Sequence, residues 1–199
     1  MKKILFEHIR QYWVIYLTLS SVFLAGGVFG AVGSGVLDAQ KTDELSKFLL
    51  KLLGEQPNTV DSAFLQKIAK DYFLMMAGIW ILGLTVIGTP LVYLIVFSRG
   101  FILGFTIAFI IQVKSITGLG LVFFTIFLPS ILVIPCLLLG AGLATIFSFL
   151  LLQGKSNGDI LRKDFLYYSA ASLFISLGSV SAGVLQGYFS IVGTRFLGF

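Results

Sequence analysis

WVIYLTLSSVFLAGGVFGAV, residues 13–32, holds no Asp, Glu, Lys, Arg or His. As an α-helix it would extend about 30 Å at roughly 1.5 Å per residue, the thickness of a bilayer's hydrocarbon core. A helix apolar on every side has no stripe to offer water, so its solvent is lipid. Tyr12 and Trp13 stand at its start, where aromatic rings sit at headgroup level, and Lys2, Lys3 and Arg10 precede it as a cytoplasmic anchor. Basic residues before an apolar run also mark secretory signals. This run is long for a signal core, and the reading is a retained signal-anchor helix.

The rest of the chain repeats the pattern. Hydrophobic residues make up 57% of 199 positions, and the mean hydropathy is +1.00. Nearly all charges fall within residues 1–10, 38–71 and 155–164. The fold class is therefore all-α: a polytopic helical membrane bundle of about five spans, one integral membrane domain over residues 1–199. The net charge of +5 is spread without a basic, aromatic-interleaved patch, which weighs against nucleic acid. The only cysteine, Cys136, lies in an apolar stretch, so no intrachain disulfide is possible.

Residues 34–71 form the longest polar stretch and carry an amphipathic pattern: Leu45, Phe48, Leu49, Leu52 and Leu53 recur at helical spacing. Asp43 can pair with Lys47 one turn on, and Gly54 is a stop. Too short and too charged to span, this helix is expected on the membrane surface, or docked on the bundle or on a partner. Pro57-Asn58 breaks it, and Asp61 can cap the helix that follows.

The second span is read over residues 73–97, kinked at Gly88-Thr89-Pro90, with Ser98-Arg99-Gly100 as a tight polar break. Residues 101–113 form a short third crossing, ended by 114–118. Residues 119–152 are too long for one straight crossing and are broken by Pro129 and Pro135. They form either one kinked helix or a re-entrant hairpin. With Arg99 and Lys155 both taken as cytoplasmic, that segment makes one net crossing. A last span over 166–191 completes five, with the N-terminus inside, the C-terminus outside and the 34–71 loop extracytoplasmic.

His8 is the only histidine and falls in the basic N-terminus. Gly33-Ser34-Gly35 looks like a nucleophile turn but has no base in any span, and a serine needs one. The expectation is a protein that is not an enzyme and has no cofactor or metal. Thr85, Thr89, Thr106, Gln112, Thr145, Ser148, Ser176, Ser179, Ser181 and Gln186 either line a path for neutral solutes or bond helices together, the second being the commoner use. Gly26 with Gly30 and Gly100 with Gly104 are small-residue pairs that allow close helix approach, within this bundle or against a partner's helix, and Gly140, Gly142, Gly183 and Gly187 add more.

One set of residues goes beyond composition. Trp80 to Gly83, Ile87 to Pro90, Phe97-Ser-Arg-Gly-Phe101 and Gly104-Phe-Thr106 resemble the core of the stage II sporulation protein M family. The basic N-terminus leading into Phe23-Leu-Ala-Gly26, the long polar loop and the last span with Tyr188 agree with it. The chain departs from the family pattern at Gln186, where a carboxylate often stands, and at Ser130-Ile131-Leu132, where more polar residues are usual. The resemblance implies a non-enzymatic scaffold at the sporulation septum. Such a scaffold recruits and stabilises the peptidoglycan hydrolases called stage II sporulation proteins P and D during forespore engulfment. A homo-oligomer is compatible with it. The alternative reading is a channel or transporter of neutral solutes.

Overall fold

A computed structural model describes residues 12–54, 62–85, 87–122, 126–153 and 158–196. The described residues form six helices: α1 Trp13–Gly35, α2 Ala39–Gly54, α3 Ser62–Gly83, α4 Gly88–Val122, α5 Leu128–Gln153 and α6 Gly158–Phe196. Four carry stretches long and apolar enough to cross a membrane: Trp13–Gly35, Gly88–Val113, Ser130–Leu152 and Phe165–Phe189. The helix α3 is polar over its first turns and apolar after Tyr72, and it packs in the same bundle against α4, α5 and α6. The all-helical membrane fold thus stands, with four clear spans and a fifth, half-polar helix in the bundle.

Contacts fix the helix directions. Thr18 hydrogen-bonds Tyr93 (2.9 Å), while further along both chains Phe29 meets Phe97, so α1 and α4 run parallel. Tyr168 Oη donates to the Trp80 carbonyl (2.9 Å) and Tyr72 Oη to Gln186 Oε1 (2.5 Å), so α3 and α6 are antiparallel. Thr89 donates to Ser148 (2.9 Å), setting α5 against α4 in the opposite sense. Hence α1, α4 and α6 point one way, and α3 and α5 the other. At the centre Leu19, Met76, Ile79, Val92, Val96, Leu137, Ala141 and Ala144 are buried as one cluster. Leu24, Val28 and Phe29 of α1 and Leu173, Phe174 and Leu177 of α6 remain exposed, as a lipid-facing surface requires.

Two expected boundaries move. The second span does not run through residues 73–97 with a kink at Pro90. The helix α3 ends at Gly83, and a turn follows, held by Leu84 N–H to Ile81 O, Thr85 N–H to Leu82 O and Gly88 N–H to Thr85 O, each 3.1 Å. Pro90 then lies in the first turn of α4, where the missing N–H has no helical partner to lose, so it starts a helix instead of bending one. Ser148 clamps the turn from α5, donating to the Thr85 carbonyl (2.9 Å). As a result Ser98-Arg99-Gly100 is no break at all. It lies inside the continuous helix α4, which also runs past residues 114–118 to Val122. Arg99 therefore marks no cytoplasmic turn.

Residues 119–152 resolve into the end of α4 and a separate helix α5, with a π-turn at Ile126 and Phe127 just before it. Pro129 falls in the first turn of α5, and Pro135 is inside it, so one helix with an internal proline replaces the re-entrant alternative. The Asp43–Lys47 pair forms on α2 at 2.6 Å, and that helix does end at Gly54. Residues 1–11, with Lys2, Lys3, His8 and Arg10, lie outside the described residues, as do Pro57, Asn58 and Asp61 and the side chains of Phe48, Leu49 and Leu52.

Candidate functional site: an arginine inside the bundle

Glycine brings α1 and α4 together. A Cβ at Gly26 would collide with the Phe97 carbonyl, one at Gly30 with the Phe101 carbonyl, one at Gly100 with the Phe23 carbonyl and one at Gly104 with the Gly27 carbonyl. These are backbone atoms of the opposing helix, which cannot rotate aside. The four glycines named from sequence thus meet one another's helices inside this chain, and Gly27, unremarked in the sequence, completes the seam.

That seam orients the residue beside it. With Gly100 pressed against α1, Arg99 turns off the contact toward the space enclosed by α3, α5 and α6. Arg99 stands about 17 Å from the start of the Gly88–Val113 span and about 21 Å from its end at roughly 1.5 Å per residue. Arg99 thus lies near the middle of that apolar stretch, where a bare charge facing lipid would be costly.

Instead the side chain lines a cavity of about 180 Å³. All five bundle helices contribute to its wall: Phe23 from α1, Tyr72 from α3, Arg99 and Thr106 from α4, Ser130 from α5 and Gln186 from α6. The remainder is aliphatic. Gly183 lets the Tyr72 ring lie directly on α6, since a Cβ there would overlap the ring, and three residues on Gln186 accepts the phenol's proton. Thr106 Oγ1 donates to Ile102 O (2.7 Å) and Ser130 Oγ to Ile126 O (2.6 Å). The hydroxyl protons are therefore all committed. What remains free to donate is the guanidinium of Arg99 and the amide NH₂ of Gln186. Among the described residues Arg99 has no ion pair and no hydrogen bond, and the only salt bridge is Lys47–Asp43 on α2.

Several of the other polar residues bond back onto their own helix. Thr145 donates to Ala141 O (2.8 Å) and Ser181 to Leu177 O (2.9 Å), each one turn back on its own helix. Ser34 donates to Ala31 O (2.8 Å) at the end of α1. Gly140 faces Met76, and Gly142 faces the Tyr16 ring.

The sequence reading missed Arg99 as a site residue because it took Pro90 for a kink. With the helix started at Gly88, the same string reads as an apolar span carrying one central cation, which is the usual mark of a functional position in a membrane helix. In comparisons with known proteins, the family model for Stage II sporulation protein M matches residues 19–191. No curated protein and no solved structure matches the chain.

Proposed function

The chain belongs to the stage II sporulation protein M family, and on that premise we propose that this sporulation-family membrane protein is a non-enzymatic scaffold of the engulfment machinery. In this reading it holds the peptidoglycan hydrolases called stage II sporulation proteins P and D at the septal membrane. The N-terminus and the α5–α6 connection lie in the cytoplasm, where Lys2, Lys3, Arg10, Lys155, Arg162 and Lys163 would favour them. The helix α2 and the C-terminus then lie on the wall side.

The observation that carries the reading is α2 itself. It has an apolar stripe by sequence, yet among the described residues it packs along none of the five bundle helices. A helix of this kind needs a cover, either the lipid surface or another protein. The glycine faces of α1 and α4 are weaker candidates for a partner, because each already covers the other.

The test is capture of the two hydrolases by the tagged full chain from detergent-solubilised sporulating cells. Wild type should retain both. Leu45→Asp with Leu49→Asp should lose them while the protein stays in the membrane fraction. Capture that survives the double substitution removes α2 from the scaffold, and failure of wild type to retain either hydrolase removes the scaffold.

A further inference from the structure

We propose that the cavity around Arg99 is a binding site for a small oxyanion, a carboxylate or phosphate group, either free or at the head of a lipid. This goes beyond the scaffold reading and does not depend on it. The first ground is the charge itself. A guanidinium near the middle of an apolar span, with no carboxylate paired to it among the described residues, is costly, and such a charge persists where something neutralises it. The second ground is the donor inventory. With the hydroxyl protons of Tyr72, Thr106 and Ser130 spent on Gln186 and on helix carbonyls, the free polar groups at the cavity are donors from Arg99 and Gln186. A planar guanidinium fork and an amide NH₂ lining one cavity match the oxygens of a carboxylate or phosphate, whereas a cation or a pure hydrogen-bond donor would meet no free acceptor of comparable strength.

Size and enclosure narrow the occupant. About 180 Å³ holds a small anionic group and its water but not a helix, and five helices wall it, so a partner's transmembrane segment is not the fit. The cavity is also one-sided. Ser130 begins its apolar span and Gln186 is near the end of its own, so the site extends from the level of Arg99 toward the membrane face where α1 ends and α2 begins. An anion would enter from that face. A lipid head group would reach it with its tails left among the outward-facing apolar residues.

The experiment uses the full chain in nanodiscs, with thermal unfolding followed by intrinsic fluorescence. One arm compares phosphatidylcholine alone with phosphatidylcholine containing phosphatidylglycerol. The other adds inorganic phosphate or acetate to phosphatidylcholine discs. Wild type should show a rise in midpoint with at least one probe that continues with the logarithm of its concentration. A response to phosphatidylglycerol alone identifies a lipid head group, and a response to phosphate or acetate identifies a free anion.

Arg99→Gln should weaken the response by about tenfold or more, the scale of losing a charge-assisted pair. Because that variant can fail to fold for its own reasons, Gln186→Glu is the second arm. It puts a carboxylate into the cavity that Arg99 lines, so it should raise the midpoint without any probe and abolish the response. A wild-type midpoint indifferent to every probe overturns the proposal. So does a response that Gln186→Glu leaves intact, which would place the anion on the loop lysines.

Discussion

The substitution Gly26→Ala adds one methyl group at the α1–α4 seam, and the structure specifies what it meets. The new Cβ would overlap the Phe97 carbonyl and press on the Phe101 amide nitrogen, both backbone atoms of α4. Relief requires the two helices to separate along a seam shared with Gly30, Gly100 and Gly104. Overpacking of this kind costs about 1–3 kcal/mol, against a gain of about 0.5–1 kcal/mol from replacing glycine by alanine within a helix. The net expectation is a loss of about 1–2 kcal/mol, and more for Gly26→Leu. Gly78 is the internal control, since a Cβ there meets nothing within 4 Å and only the propensity gain remains. Thermal unfolding of the two alanine variants in one detergent should move the midpoint down for Gly26→Ala and up for Gly78→Ala. Midpoints that move in the same direction would refute the claim that the seam is set by backbone contact. The comparison also bears on partner mapping, because a bulky residue at Gly100 or Gly104 would disturb the bundle before it disturbed any complex.

Tyr168→Phe removes the hydroxyl bonded to the Trp80 carbonyl while keeping the ring stacked 4.4 Å from Phe147, and should cost about 0.5–1.5 kcal/mol by the same unfolding assay. Gly83→Ala should cost more, since its Cβ would press on both the Tyr168 hydroxyl and Ala144. In a Cys136→Ser background and inside-out membrane vesicles, Thr85→Cys should react with a membrane-impermeant maleimide, while Ser98→Cys, now inside a span, should not. The reverse pattern would restore the turn at Arg99. Lys47→Ala should change stability by less than about 0.5 kcal/mol, because its ion pair with Asp43 is solvent-exposed on both sides.

Much of this architecture was legible from residue order. Long uncharged runs announce membrane helices whatever packs on them, so the all-helical class and the outer spans could be read directly. The Leu45 repeat with its Asp43–Lys47 pair announced the helix α2, because both are local effects of helical spacing. The α3–α4 turn was not legible for an equally local reason. A proline bends a helix if hydrogen bonds already run through it and begins one if they do not. The turn's own backbone bonds, clamped by Ser148 from a distant helix, show which holds at Pro90. Arg99 followed the same error, since one cation among apolar residues reads as a loop until the helix on both sides of it is known. Which glycines would face each other was likewise out of reach, because Gly26 has equally small neighbours at Gly27 and Gly30 and the seam uses all three.

The parallel pairing of α1 with α4 bears on how the protein is made. Partners along this seam are far apart in the chain, as Thr18 and Tyr93 are at a separation of 75 residues. At a synthesis rate of about 5–20 residues per second, α1 waits roughly 4–15 s in the bilayer before α4 emerges to cover its glycine face. During biogenesis that bare groove is a temporary docking place for any helix with small residues. Co-translational insertion, more than the finished bundle, is therefore the stage at which seam variants would first be lost to quality control.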